Sequence, residues 1–400
     1  MSLSDQAKSV LRATAPAVGA ALDEIAPLFY DRLFAAHPEL LRDLFNRGNQ
    51  AQGDQPKALA GSIVAFAGLA LAGDEDRYGA VLDRIAHKHA SLGVTAELYS
   101  VVHEHLFAAI AQVLGEAVTP EVASAWTELY WLMAGELIAR ERGLYDAARV
   151  APGEVWREAR VAARALESAD VVSLELVDPS GAGLPAFLPG QYVSVQVALP
   201  DGARQIRQYS LAGGTSEGSW RLGVKRVRGE AGAPDGEVSN HIYENVFEGD
   251  LVRVSIPAGE LVLDRSDRPL VLVSAGIGCT PIMGMLHALA AERSERSTTV
   301  LHADRALSTH AYRAELADLV GQLPNGRLWT WYQSLDGSRR GALSGLMDFD
   351  AVDVAPDAVA YVCGPTPFLG YAVSALTAKG LSEADVRYEV FGPLAALVAA

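Results

Sequence analysis

Apolar side chains recur every three or four positions from the N-terminus to about residue 148, with few β-branched clusters, and that spacing predicts an all-α region. Within it Tyr78, Val81, Leu82, Ile85, His89 and Leu92 fall on one helical stripe, and Tyr99, Val102, Leu106, Ile110 and Val113 on a second. A third runs through Tyr130, Met133, Ala134, Leu137, Ile138, Glu141 and Tyr145. Thr119-Pro120-Glu121 reads as a helix start: a capping hydroxyl, a first-turn proline and an acid matched to the helix dipole. Ala151-Pro152-Gly153 then interrupts the chain, and after Trp156 the period becomes two, as at 192–197 and 206–211. Turn pairs such as Asp201-Gly202 and Gly249-Asp250 separate short strands, which predicts a small antiparallel β-barrel or sandwich ending near residue 264. From Arg268 the pattern changes again. Strands at 270–274, 299–302, 359–363 and 386–391 alternate with helical stretches, as in a parallel sheet covered on both faces. Three domains are expected, at 1–148, 149–266 and 267–400.

Composition narrows the function. The chain of 400 residues is half hydrophobic and one-fifth charged, a globular composition too long for one ordinary core. Its net charge of −16, with no Lys/Arg block, argues against nucleic acid as a partner. Cys279 and Cys363 are the only cysteines, so neither a disulfide framework nor a CxxC metal site is expected, and a reducing cytoplasm fits. The first ten residues lack the charged and apolar blocks of a signal peptide. Two uncharged runs, 58–73 and 269–291, invite a membrane reading, but a span needs about 20 continuous apolar residues. The first run is too short and the second is broken by Gly276, Gly278 and Pro281, so no transmembrane segment is expected.

Candidate chemistry lies in each region. His89 sits on an apolar stripe and His87 well off it; a histidine there is either a satisfied core residue or a ligand. Glu141 occupies a stripe position that calls for a hydrophobe, and is either a side chain snorkelling at a helix end or one that needs a buried donor. His89, Tyr99 and Glu141 can converge, which would give an axial imidazole polarised by its neighbours. Tyr30 among Phe29, Leu33 and Phe34, and Gln55 beside Leu59 and Phe66, are polar groups for an apolar pocket or edge residues of a plain core. In Arg207-Gln208-Tyr209-Ser210, Arg207 and Tyr209 share a strand face, so a cation and a ring can meet one flat, phosphate-bearing ligand; an ordinary surface Arg–Tyr pair is the alternative. Gly276, Gly278 and Pro281 follow a strand and open a helix, placing backbone amides where a pyrophosphate docks, though the spacing is not GxGxxG and ordinary packing also uses such turns. Cys363-Gly364-Pro365 ends another strand, and two such turns at one sheet edge favour a nicotinamide dinucleotide.

The ordered segments Pro189-Gly190-Gln191-Tyr192, Arg207-Gln208-Tyr209-Ser210, Gly236-Glu237-Val238-Ser239-Asn240, Ser274-Ala275-Gly276-Ile277-Gly278-Cys279-Thr280-Pro281, Cys363-Gly364-Pro365 and Tyr388-Glu389-Val390-Phe391-Gly392-Pro393 resemble the ferredoxin–NADP reductase family over about 156–393. That resemblance implies FAD held by Tyr192, Arg207, Gln208, Tyr209, Ser210, Glu389, Val390, Phe391, Gly392 and Pro393. It implies NAD(P)H on Gly276, Ile277, Gly278, Cys279, Thr280 and Pro281, near Cys363, Gly364 and Pro365. A flavin can release a hydride's electrons singly, so a one-electron acceptor is expected in the helical half. There Phe29-Tyr30-Asp31-Arg32, Pro38-Glu39-Leu40, Leu44-Phe45-Asn46, Gly53-Asp54-Gln55, Lys88-His89 and Arg140-Glu141 resemble the flavohaemoglobins, and the likeness continues through the reductase. It implies a globin fold ahead of the FAD barrel and the α/β NAD(P) domain. It implies haem b with its iron on His89, hydrogen-bonding partners Tyr99 and Glu141, and Tyr30 donating to dioxygen. Gln55 and Leu59 would line the distal side, Phe45 would lie against the porphyrin, and Lys88 and Glu389 would be charges at the haem–flavin junction. The implied activity is nitric oxide dioxygenation, taking NO, O₂ and NADH or NADPH, by a cytoplasmic monomer. Departures are Val390 for a frequent cysteine, Cys279 for a frequent glutamine or hydrophobe, and extra chain at 229–236, which put the positioning of the nicotinamide in question. Arg305 beside Asp304 leaves NADH and NADPH both open. A gas-sensing module and a ferric or quinone reductase with a secondary haem are the rival readings.

Overall fold

The computed structural model describes residues 3–51, 65–73, 75–214, 216–229, 234–335 and 341–391. The chain divides into two compact units, one of Met1–Trp156 with Ala198–Arg207, the other of Arg157–Val197 with Gln208–Gly392.

The first unit is helical: α1 (Asp5–Ala20), α2 (Leu22–Ala36), α3 (Pro38–Asp43), α4 (Arg47–Ala51), α5 (Glu75–Leu92), α6 (Ala96–Leu114) and α7 (Pro120–Ala148), with further helical residues at 65–72. The expected cap is present, since Thr119 accepts from the Val122 amide at 3.4 Å and Pro120 opens α7. Helices α2, α5, α6 and α7 turn Phe29, Leu33, Leu82, Ile110, Trp126 and Leu129 into one core, each large side chain stabilising the fold by about 1.5–3 kcal/mol. The segment Ala198–Arg207 belongs to this unit through polar contacts that periodicity does not reveal. Buried Gln205 donates its amide hydrogens towards the carbonyls of Leu41, Arg42 and Phe45 at 3.3, 3.1 and 3.2 Å, and accepts from the Arg47 amide at 3.2 Å. Arg204 pairs with Asp43 at 2.8 Å, and Arg42 and Arg204 together hold that carboxyl far below its usual range.

The second unit carries two sheets, the first of which also takes in residues 204–207 of the first unit. Strands β1 (Arg157–Ser168), β2 (Val171–Val177), β3 (Tyr192–Ala198), β4 (Arg204–Ser210), β5 (Ser219–Lys225) and β6 (Leu251–Val254) form a six-stranded sheet in the order β4-β3-β6-β1-β2-β5. The bridge between Leu211 and Leu222 links the end of β4 to β5, so the sheet curls into the expected antiparallel barrel. Helix α8 (Glu237–Asn245) opens at Gly236.

The second sheet contains β7 (Leu270–Ala275), β8 (Thr298–Ala306), β9 (Gly326–Ser334), β10 (Ala342–Ser344), β11 (Val359–Gly364) and β12 (Val386–Val390), in the order β10-β9-β8-β7-β11-β12 with every pairing parallel. Helices α9 (Cys279–Ala291), α10 (Arg313–Gln322) and α11 (Thr366–Ala378) complete it. Strands β9 and β10 are additions to the pattern read from the sequence. From β7 the chain winds outward through β8 to β9 and β10, then returns to β11 on the other side of β7. The carboxyl ends of β7 and β11 therefore flank the point where strand order reverses, the crevice in which open α/β sheets hold ligands. Among the described residues no helix is long and apolar enough to cross a membrane.

Candidate functional site

Helix periodicity brings His89, Tyr99 and Glu141 together from α5, α6 and α7. His89 Nδ1 lies 2.8 Å from Glu141 Oε1 and 3.0 Å from the Tyr99 hydroxyl, and Tyr99 O–H donates to the same carboxylate oxygen. The phenol proton is thus committed to Glu141, so Nδ1 carries a hydrogen and Nε2 keeps its lone pair. Glu141 is only 2% exposed, and these two donors offset what its desolvation would cost alone. Burial first, and then the Glu141 carboxylate, push the Tyr99 phenol upward, so it remains a donor. The frame is pinned from behind: Tyr130 O–H donates to the Tyr99 carbonyl and Tyr145 O–H to the Val94 carbonyl, both at 2.6 Å. His89, with 31% of its side chain exposed, presents an electron-rich Nε2 with no partner among the described residues, which fits an axial haem ligand.

Tyr30, 5% exposed on α2, stands in an aromatic cluster: its ring lies 4.7 Å from Phe29, 5.5 Å from Phe34 and 5.8 Å from Phe45. Burial raises the phenol well above its ordinary range, and a hydrogen bond with Gln50 only partly offsets this. Gln50 was not singled out from the sequence, where a polar residue in a short helix carries no signal. Gln55 and Leu59 lie outside the described residues. Lys88, half-buried, has its ammonium pKa lowered by burial and by the nearby Arg207 cation.

On the strand read as flavin-binding, Arg207 Nη2 donates to Asn46 Oδ1 and Nη1 to the Ile206 carbonyl, both at 2.6 Å. Gln208 donates to Ser194 Oγ at 3.0 Å, and Ser210 is buried at the strand end. Tyr209 is half-buried in the same alternation as Arg207. Buried Tyr192 packs against Gly259, whose φ of +115° and the ring 3.1 Å from any added Cβ exclude a side chain there. Glu389 and Val390 on β12 pair in register with Cys363 and Gly364, so these two residues lie beside the β11 turn. Phe391 follows, 44% exposed, while Gly392 and Pro393 lie outside the described residues.

At the sheet crossover Gly276, Ile277 and Gly278 form a single 3₁₀ turn, and α9 opens at Cys279, Thr280 and Pro281. A Cβ on Gly278 would overlap the Cys363 carbonyl oxygen, so the two glycine turns meet directly. Gly276, with φ +54°, faces open space, and the turn is tied by Thr280 Oγ1 donating to the Ile277 carbonyl at 3.0 Å. Pro365 caps α11 beside Gly364. The arrangement leaves a bare backbone edge at a helix N-terminus, which fits a dinucleotide pyrophosphate. Both cysteines are free and buried; burial, and then Asp304, push the Cys279 thiol to about 12, and burial, and then Glu389, raise the Cys363 thiol as well, so neither is a nucleophile. Asp304 is buried and turned inward, accepting from Thr309 Oγ1 at 2.5 Å and the Arg305 amide at 2.6 Å, while Arg305 is exposed.

Three family models match consecutive stretches: globin at residues 28–137, an oxidoreductase FAD-binding domain at 158–263 and an oxidoreductase NAD-binding domain at 272–374. The flavohaemoprotein of Bordetella pertussis is 40% identical over 402 residues, covering 98% of each chain, and that of Deinococcus radiodurans 40% identical over 404 residues, covering 98% of this chain and 97% of its own. The chain belongs to the flavohaemoproteins. A flavohaemoprotein of this kind is an oxidoreductase with a globin, a FAD-binding and an NAD-binding domain in one polypeptide. The crystal structure of flavohaemoglobin from Malassezia yamatoensis with bound FAD and haem is 33% identical and superposes with a TM-score of 0.89, covering 98% of this chain and all of that one. The FAD/NAD-binding domain of nitric oxide dioxygenase from Vibrio cholerae is 35% identical with a TM-score of 0.56, covering 60% of this chain and all of that one. The flavohaemoprotein fold read from the sequence is the fold observed.

Proposed function

We propose that this flavohaemoprotein is a nitric oxide dioxygenase, using NADH or NADPH and O₂ to convert NO to nitrate in a reducing cytoplasm. The observation that carries the reading is the His89–Glu141–Tyr99 frame, an imidazole with Nδ1 bonded to a buried carboxylate, in one chain with a flavin-type barrel and a dinucleotide-type sheet edge. The nitric oxide dioxygenase relative from Vibrio cholerae supports it. A flavin held by Tyr192, Arg207, Tyr209 and Ser210 would supply the conversion of a nicotinamide hydride into single electrons, and a haem held by His89 would supply the site at which O₂ and NO are used.

The residues of the chain do the rest. Glu141 accepts the Nδ1 hydrogen of His89, which fixes the ring's tautomer and orientation and makes Nε2 a stronger donor. Tyr99 shares that carboxylate and moderates the effect. Tyr30 keeps its proton at any working pH and can donate a hydrogen bond to dioxygen from a cluster of aromatic rings that excludes water. The Gly276–Gly278 turn and the α9 N-terminus receive the pyrophosphate, with Gly278 and Cys363 holding the turn to β11. Arg207, Tyr209 and Ser210 on β4, with Tyr192 on β3, are assigned to the flavin, and Lys88 and Glu389 to the charge balance of electron transfer.

Anaerobic stopped-flow mixing of the FAD- and haem-loaded protein with NADH tests the reading. Flavin bleaching followed by haem reduction is expected. Rapid flavin reduction beside an unchanged haem would favour a flavin reductase acting on other acceptors.

A further inference from the structure

A glycine seam joins the barrel to the helix that carries the nucleotide turn. A Cβ on Gly284 of α9 would overlap the carbonyl of Leu211, the residue after Ser210. A Cβ on Gly213 would stand 2.7 Å from the His287 ring, and one on Gly223 of β5 2.7 Å from both Thr280 Cγ2 and the Tyr312 hydroxyl. A Cβ on Gly190 would meet Met285 Cε at 2.8 Å. Backbone and side chains here touch with no slack, so the strand end carrying Ser210 and the turn carrying Thr280 are spaced by close packing.

One polar clasp closes the seam. Arg221 of β5 grips Glu315 of α10 with two bonds, Nη1 to Oε2 at 3.0 Å and Nη2 to Oε1 at 2.7 Å. His287 of α9 brings Nε2 to 2.8 Å from Glu315 Oε1 and 2.9 Å from Arg221 Nη2, and Arg221 Nη2 also reaches the Ala212 carbonyl at 3.2 Å. The guanidinium lies 5.1 Å over the ring of Tyr312, which itself sits at φ +56° at the start of α10. The Arg221 side chain is only 11% exposed, and although burial opposes its ionisation, bonds from His287 and Arg221 hold the Glu315 carboxyl at about 2. Barrel, α9 and α10 are thus tied through one carboxylate.

We propose that Arg221, Glu315 and His287 are positioning residues for hydride transfer, a clasp that holds α9 against the barrel so that nicotinamide and flavin meet at reacting distance. The proposal rests on the reading that NADH reduces a flavin on this chain. The clasp is anchored on the Ala212 carbonyl, two residues past Ser210, and on α9, rather than on the residues assigned to either dinucleotide, so its loss alters reaction geometry more than affinity; misplacement by about 1 Å can cost about 10²-fold.

Anaerobic stopped-flow of the full-length, FAD- and haem-loaded protein over a series of NADH concentrations separates the two. Glu315→Gln is expected to slow the limiting rate of flavin reduction about tenfold or more, leave the NADH dissociation constant within about twofold, and weaken the long-wavelength charge-transfer band between reduced nicotinamide and oxidised flavin. Glu315→Asp, which keeps a carboxylate, should recover part of the rate. Should Glu315→Gln fail to fold, the double variant Arg221→Met/Glu315→Met fills the site with apolar chains of similar volume and carries the same expectation. Limiting rate and charge-transfer band within about twofold of wild type, with any loss confined to melting temperature or FAD content, would overturn the clasp. A wild type whose flavin NADH does not reduce would instead overturn the functional reading beneath it.

Discussion

Replacing Glu141 by Gln in the haem-loaded protein is expected to raise the midpoint potential of the iron. Glu141 Oε1 receives His89 Nδ1 at 2.8 Å and the Tyr99 hydroxyl, at a site only 2% exposed, where solvent screens the charge little. An amide of the same shape still accepts a hydrogen bond but removes the anion, so His89 donates less electron density through Nε2 and the oxidised iron loses support. A charge-assisted hydrogen bond contributes about 1.5–3 kcal/mol. If that whole difference falls on the oxidised state, the potential rises by roughly 60–130 mV at about 59 mV per 1.4 kcal/mol. Tyr99→Phe should act in the opposite sense, because removing the competing donor leaves the carboxylate to His89 alone, and the potential should fall. Spectroelectrochemical titration of the Soret band reads both. A Glu141→Gln potential within about 15 mV of wild type, or shifts of the same sign in the two variants, would refute the reasoning.

Four further outcomes follow from other parts of the chain. Tyr30→Phe removes a buried donor worth about 1.5–3 kcal/mol to dioxygen and should speed O₂ release about tenfold or more; flash-photolysis rates unchanged from wild type would remove Tyr30 from that role. Gly278→Ala drives a methyl into the Cys363 carbonyl and should cost about 1–3 kcal/mol of stability and weaken NADH binding about tenfold or more. Gly276→Ala meets open space and should show only the left-handed backbone penalty of about 1–2 kcal/mol in thermal unfolding. His310 is pushed down to about 2 by burial and by His302, whose ring stacks on it at 3.9 Å. The folded chain therefore keeps His310 neutral while the unfolded chain takes up a proton below about pH 6.5, so stability is full above that pH and falls on acidification by about 1.4 kcal/mol per unit towards pH 2. His310→Gln should flatten the urea-unfolding profile between pH 6.5 and 4 by one proton, and an unchanged slope would argue against a neutral buried imidazole.

What was legible in the sequence was whatever repeats within a helix turn or a strand. His89, Tyr99 and Glu141 were found because each interrupts or continues an apolar stripe, and the Gly276–Gly278 and Cys363 turns because glycine and proline punctuate a buried strand. Contacts that join polar residues distant in the chain leave no such trace. Gln205 looks like a solvated strand residue, yet it caps the carbonyls of 41, 42 and 45. Arg221, His287 and Glu315 lie 66 and 28 residues apart in sequence and each reads as a surface charge until β5, α9 and α10 fold together. Beside Arg305, Asp304 gives no sign in the sequence of turning inward, yet its carboxylate accepts from Thr309, because an exposed acid and a turn-capping one look alike in a linear pattern. Strands β9 and β10 escaped because Trp329, Trp331 and Tyr332 present aromatic groups to both faces, which blurs the alternation.

In the proposed reaction electrons from NADH pass through this chain to oxidise nitric oxide with dioxygen, a balance in which two NO, two O₂ and one NADH give two nitrate, one NAD⁺ and one proton. Measuring nitrate formed against NADH consumed, with the purified holoprotein under NO and O₂, tests it most directly. Two nitrate per NADH are expected, with production abolished in His89→Ala. NADH consumption that continues without nitrate, the oxygen appearing as peroxide, would contradict it.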